Sequence, residues 1–418
     1  MPDTPIHSPR CDCRRACLGA FVLLAIAVVG SGWWLRTARN DATKLLVRSH
    51  WSAARAQLDW LLWLQPNDPQ LRLMMAEAIA RDDSLLAKSD TVRATEYLGG
   101  ISDHAAEAVE ARIREARLRF LLLHQPVAGE RLLQRALKLN PDSIEAHSLL
   151  WPILDMTGRR DLVEPIFRRL RELRTSDAQV EILRDWFFSQ IDPARFTTGL
   201  DERMGFRTSI DEPFRRSELK RLVAFRQQEP NEPTGHAALA QWFQQDGDIE
   251  QARRIVEEGR TISNTLNDSF FVSVLVSVLI ESGELDQADR MFSVWPKPCD
   301  GHGYWNAAGQ LQENLHRNYG AAAEMYSKAI AIWPGPADWK CQFRYAACLA
   351  LNNEKENAEA IRTHAQDVQD LFKPDWQKRI HEAIVAPHQP QNLETILTFY
   401  RILGRDDEVK YWKRAVQR

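Results

Sequence analysis

The densest cluster of reactive side chains in the sequence is Cys299-Asp300-Gly301-His302-Gly303. A thiol and an imidazole this close could form a reactive or metal-binding loop. One Cys and one His are too few for a structural metal site. With Pro296 and Pro298 just upstream, the segment reads as a turn between helices, its glycines supplying positive φ. Cys11, Cys13 and Cys17, with His7 upstream, could ligate zinc. Their C-x-C-x3-C spacing lacks the paired C-x2-C knuckles, so they read as juxtamembrane thiols. Asp246-Gly247-Asp248 starts like a calcium loop, but the rest of the twelve-residue ligand pattern is missing. Cys341 and Cys348, seven apart on one predicted helix, read as small buried apolar residues. No zinc-protease, hydrolase-elbow, Walker or dinucleotide motif occurs. The sequence therefore nominates no catalytic residue, no metal ligand and no cofactor.

The scaffold that must position side chains is long. At 418 residues it suffices for two or three domains or one repeat array. With 44% hydrophobic residues, wholesale disorder is excluded. A net charge of -3 removes the global basic field of a nucleic-acid binder. Six cysteines do not make a disulfide framework. Arginines concentrate between Arg112 and Arg174, interleaved with Glu and Asp, and read as a solvated charged face; a phosphate- or lipid-binding stripe is the lesser reading.

Leu18 to Leu35 is an uncharged apolar run. At about 1.5 Å per residue it covers about 27 Å, enough for a bilayer core. Arginines flank it on both sides, and Trp33-Trp34 stand where interfacial rings are favoured. No small-x-small cleavage site follows it cleanly, so a retained signal-anchor is expected, with the remainder of the chain on the non-cytoplasmic side.

Beyond that run the sequence repeats itself. Gly247-Asp248-Ile249-Glu250-Gln251-Ala252 and Gly283-Glu284-Leu285-Asp286-Gln287-Ala288 stand 36 residues apart, and Ala322 marks a third copy 34 further on. Each unit reads as helix, tight turn, helix. Gly247 suits the left-handed residue that ends a helix, Asp248 caps the next, and Ala252 is small where two helices meet closely. Further matches are Ala54, Leu133 and Ala136, Gly158 with Val163 and Phe167, Tyr326 and Ala329, and Gly404 with Val409 and Trp412. Such a unit cannot bury its own apolar face and must stack on neighbours.

This spacing resembles the tetratricopeptide repeat (TPR) family. The resemblance implies an all-α fold, a right-handed superhelix of stacked antiparallel helix pairs (an α-solenoid), here preceded by a single transmembrane helix. The expected organisation is a tail at 1–16, a transmembrane helix at 17–35, arrays at 36–176 and 233–418, and a diverged helical segment at 177–232. The resemblance also implies a concave groove that holds a protein or peptide partner. Helical spacing places Ala237, Gln241 and Gln244, then Ser273, Ser277 and Glu281, then Asn306, Gln310 and Asn314 on the groove face. The expected function is a non-catalytic, membrane-anchored scaffold binding no nucleic acid. The alternatives are a helical enzyme or enzyme accessory using the 177–232 segment, and self-association through an exposed terminal repeat face.

Overall fold

One recurring backbone position organises the turns of this protein. A computed structural model describes residues 33–82, 88–174, 178–191 and 214–416. Ser49, His124, Gly158, Gly247, Gly283, Arg317, Asn353 and Gly404 all take positive φ, from +53° to +85°. Five residues after each stands a buried residue: Ala54, Gly129, Val163, Ala252, Ala288, Ala322, Ala358 and Val409. The left-handed residue ends the first helix of a hairpin, and the buried one seats the second helix against it. Four of the eight turn positions are not glycine. An L-residue there costs about 1–2 kcal/mol, which the packing of the hairpin must offset.

All described elements are helical. In chain order they are α1 (Trp51–Leu64), α2 (Pro69–Ala80), α3 (Lys88–Gly99), α4 (Ala108–Leu121), α5 (Pro126–Leu139), α6 (Ile144–Met156) and α7 (Val163–Leu173). Then come α8 (Gln179–Ile191), α9 (Phe214–Gln228), α10 (Pro233–Gln245), α11 (Ile249–Arg260), α12 (Ser269–Glu281) and α13 (Leu285–Ser293). The chain ends with α14 (His302–Asn314), α15 (Tyr319–Ala331), α16 (Trp339–Leu351), α17 (Lys355–Leu371), α18 (Pro374–Val385), α19 (Pro390–Ile402) and α20 (Asp406–Val416). Side-chain caps start several of them. Asp68 accepts from Leu71 N, Asp248 from Gln251 N and Asn318 from Ala321 N, at 2.9–3.1 Å.

The helices fall into two compact units, 1–118 and 119–418. In the first, helix 33–47 pairs with α1, and Ala42, Ala54, Leu58, Leu71 and Ala78 form its core. This corrects the expected single-pass membrane protein. Residues 18–32 of the apolar run lie outside the described residues. The rest of the run, Trp33 to Leu35, opens a helix that carries Arg36, Arg39, Asp41 and Lys44 and buries Ala38, Ala42 and Leu46 in this core. Trp34 packs on Trp60 with ring centroids 4.7 Å apart. Among the described residues no helix is long and apolar enough to cross a membrane. Cys11, Cys13 and Cys17 also lie outside the described residues.

The second unit has a stack and an arm. From α9 to α20 consecutive helices pack in order, and the first helices of neighbouring hairpins, α10, α12 and α14, pack on one another as well. The contact surfaces are close. Tyr326 is fully buried because Gly309 faces it, and a Cβ there would lie 2.7 Å from its ring. Cys341 and Cys348 are buried in the same cluster, as the sequence suggests. The arm, α5–α8, reaches both ends of the stack. At one end the Glu229 carboxylate accepts from Val127 N (2.9 Å) and Ala128 N (2.8 Å), capping α5 from 101–102 residues away. At the other, Phe187 meets Phe399 edge-on at 5.4 Å, and Arg405 donates to Glu164 at 2.7 Å.

The arginine-rich stretch is less solvated than its composition implies. Arg112 is 1% exposed, bonded to Asp103 at 3.0 Å and to the carbonyl of Leu98 at 3.1 Å. Arg159 is also buried, on Glu130 at 2.6 Å.

Candidate functional site

A cavity of about 300 Å³ opens between the arm and the stack. The arm contributes Asp155 at the end of α6, the Gly158 turn, Arg160 and Gln190. Across from them stand Gln241 and Trp242 of α10, Phe270 and Ser273 of α12, and His302 at the start of α14. Two glycines bring backbone against these side chains. A Cβ on Gly158, whose φ is +79°, would lie 2.2 Å from Gln241 Oε1, and one on Gly303 would lie 2.5 Å from Ser273 Oγ.

A hydrogen-bond relay ties the cavity wall to the arm. Trp333 Nε1 donates to Gln190 Oε1 at 2.7 Å, and Gln190 Nε2 to Ser189 Oγ at 2.8 Å. Trp151 Nε1 donates to the same oxygen at 2.9 Å. Ser189 Oγ donates onward to Asp155 Oδ1 at 3.1 Å. Arg160 Nε lies 3.5 Å from that carboxylate, whose side chain is 1% exposed. Burial pushes the Asp155 carboxyl up to about 6, against the pull of Arg160 and Ser189.

The folded value of Asp155 lies above its unfolded 3.8, so the folded state holds the proton more tightly, and stability falls as pH rises from about 4 to about 6. Asp155→Asn should therefore stabilise the protein at pH 8, by at most about 3 kcal/mol at 1.36 kcal/mol per unit. The gain should shrink toward zero by about pH 4. Urea unfolding of both proteins at pH 4, 6 and 8 measures it; a gain independent of pH would contradict the assignment.

Residues 299–301 form the turn that the sequence suggests, with Gly301 at φ +96°, while His302 and Gly303 already open α14. Its reactive groups have separate partners. Asp300 accepts from Trp305 Nε1 and Gly301 N, both at 2.7 Å. His302 Nε2 lies 3.2 Å from Asp338 Oδ2, and its Nδ1 lies 3.1 Å from the Ala329 carbonyl. Burial alone lowers the His302 pKa; the Asp338 carboxylate and the Ala329 carbonyl outweigh it, and the net shift is upward. Among the described residues no three or more His, Cys, Asp or Glu side chains are placed to hold a metal ion.

The groove residues named from the sequence divide by place. Gln241 and Ser273 line the cavity, while Ala237 is fully buried and belongs to the hairpin core. Gln244 Nε2 donates to Ser277 Oγ at 2.7 Å and to Glu281 Oε1 at 2.8 Å, joining α10 to α12. Gln310 Nε2 donates to Asn306 Oδ1 at 3.2 Å along α14, and Asn314 continues that row half-buried. The sequence missed Gln190 and Ser189. Ile182, Leu183, Trp186 and Phe187 mark an apolar stripe on α8, but nothing in its spacing says which partner it meets.

No protein-family model matches the chain, and no curated protein does. Several solved structures resemble it in part. PilF of Pseudomonas aeruginosa is 15% identical, over 58% of this chain and 97% of its own, with a TM-score of 0.29. A tetratricopeptide repeat protein from Parabacteroides merdae is 11% identical, over 75% and 98%, also at 0.29. The APC/C hetero-tetramer Cut9-Hcn1 is 10% identical, over 90% and 74%, at 0.35. At these scores the likeness carries no functional reading, and the site stands on its own residues.

Proposed function

We propose that this protein is a non-catalytic TPR-like scaffold that binds a segment of a partner polypeptide in the cavity between its arm and the inner helices of its stack. The observation that carries the reading is the mixed wall of that cavity: Gln241 and Ser273 beside Phe270 and Trp242. Amide and hydroxyl groups can bond a backbone as donor and acceptor, while rings supply apolar contact. The row Ser273, Ser277, Glu281 supports it, since these side chains keep solvent exposure while Val272, Val274, Leu275 and Val276 are buried. Gln244, Asn306, Gln310 and Asn314 would extend the contact along the same helices.

The test is affinity selection of peptides from a random library on the full chain. Selected peptides should lose at least tenfold in affinity when Gln241→Ala and Ser273→Ala are combined, about 1.4 kcal/mol. Glu359→Ala, at an exposed side chain of α17, should leave affinity unchanged. Selected peptides that ignore both cavity substitutions would sink the proposal.

The second reading, a helical enzyme or accessory subunit, draws on Asp155 and Glu218 lining one cavity. Against it, Asp155 is bonded inward to Ser189 and Arg160, and Glu218 accepts from Trp242 Nε1 at 3.1 Å. Neither carboxylate is left free for proton transfer.

A further inference from the structure

We infer that a cleft between the end of α7 and α20, separate from the peptide cavity, binds a small oxyanion of the phosphate or phosphate-monoester class. The cleft measures about 200 Å³ and is lined by the guanidinium-bearing residues Arg171, Arg174 and Arg414, with Tyr411, Gln179 and Glu172. A single water needs only about 10–15 Å³ on this measure, so a group of several heavy atoms fits.

Arg171 and Arg174 are held before any ligand arrives. The Arg171 guanidinium carbon lies 3.6 Å from the Tyr411 ring centroid, which fixes the plane of its donor fork. Gln179 Nε2 donates to the carbonyls of Arg171 (2.6 Å) and Arg174 (3.1 Å), pinning the chain where α7 ends. Arg174 also donates one N–H to Ser148 Oγ at 3.3 Å.

The charge balance points to an anion. Glu172, the carboxylate on the lining, is bonded to Arg169 at 2.8 Å. Among the described residues no ion pair joins Arg171, Arg174 or Arg414 to a carboxylate, whereas nearby Arg168 and Arg405 both pair with Glu164. The Nε atoms of Arg171 and Arg174 are buried without a hydrogen-bond partner. A buried, unmatched donor is costly. Those atoms are closed to the cleft, so an oxyanion would be met by the terminal Nη groups, whose charge-assisted bonds would offset the repulsion among three cations. Three arginines lining one cleft suit a tetrahedral group with oxygens on several sides; a planar carboxylate can meet fewer of them.

Isothermal titration of the full chain tests this, with inorganic phosphate, glycerol phosphate and acetate at constant ionic strength. Phosphate and glycerol phosphate should each saturate one site, and acetate should not at the same concentrations. Tighter binding of glycerol phosphate identifies a monoester ligand; tighter binding of phosphate identifies the free ion. Arg414→Gln alters an exposed side chain and should weaken binding at least tenfold with helical circular dichroism unchanged. Arg174→Gln should do the same. Heats equal to those of sodium chloride, equal binding of acetate, or unchanged affinity in both variants would overturn the inference.

Discussion

Trp186→Ala is expected to destabilise the protein by about 3–5 kcal/mol, the range for truncating a fully buried aromatic side chain. Trp186 is 1% exposed and joins α8 to three other places. Its ring stacks on Phe167 of α7 at 4.5 Å and 10°, meets Trp151 of α6 edge-on at 6.3 Å, and lies 5.6 Å from Trp333. Such pairs add about 0.5–1.5 kcal/mol each beyond area burial. Trp333 belongs to the stack and the others to the arm, so truncation empties the joint between them. Alanine also removes the ring contact on Trp333, whose Nε1 holds Gln190 at one wall of the cavity. Trp63 is the control: it is 81% exposed, and Trp63→Ala should change stability by no more than about 0.5 kcal/mol. Chemical unfolding of both variants decides the matter. Equal effects would mean that the arm does not close on the stack.

The hairpins were legible wherever a turn used glycine, because glycine is the residue that takes the left-handed region without cost. Gly158, Gly247, Gly283 and Gly404 announced four of them. Ser49, His124, Arg317 and Asn353 hold the same backbone position with side chains that do not advertise it. Of the buried residues five places on, Ala54 and Ala322 stand out in the sequence as repeat positions, while Gly129 and Ala358 do not. The single-pass expectation is corrected on the described residues: the helix that opens at Trp33 carries Arg36, Arg39, Asp41 and Lys44 and lays Leu35, Ala38 and Ala42 on the core of Ala54 and Leu58, a contact between helices that no local run of apolar residues announces. The cavity was half legible. Gln241 and Ser273 follow from helical spacing within a hairpin. Asp155, Gln190 and His302 come from segments far apart in sequence, and no local period encodes their meeting. The turn expected at 299–303 holds for 299–301 only, since His302 and Gly303 open α14, and a turn reading does not show that His302 lines the cavity.

Arg405→Leu is expected to cost about 3–5 kcal/mol at pH 7, because it strands charges that its own burial made expensive. Arg405 lies in the turn before α20 and bonds two carboxylates: Glu164 of α7 at 2.7 Å and Glu408 at 3.0 Å. Glu408 is 1% exposed, and its Oε2 has no partner. The guanidinium carbon also lies 5.0 Å from the centroid of the Trp333 ring. Burial raises the Glu164 pKa, but hydrogen bonds and charge from Arg405 and Arg168 outweigh it and hold the carboxyl below its ordinary value. A depressed folded value means that this stabilisation is present above the unfolded pKa, about 4.5, and is lost as pH falls through the lower folded value. The deficit of Arg405→Leu should therefore be largest at neutral pH and narrow below about pH 4.5. Arg405→Leu with Glu408→Leu removes both the stranded charge and its counterion, and Arg168 still serves Glu164 at 2.9 Å. That double variant should recover most of the loss, since a buried ion pair replaced by apolar groups is often neutral in stability. Urea unfolding of the singles and the double at pH 3.5 and pH 7 gives the coupling directly. A single-variant cost below about 1 kcal/mol, or a double variant no better than Arg405→Leu, would show that the Glu164–Arg405–Glu408 cluster does not hold the arm to the end of the stack.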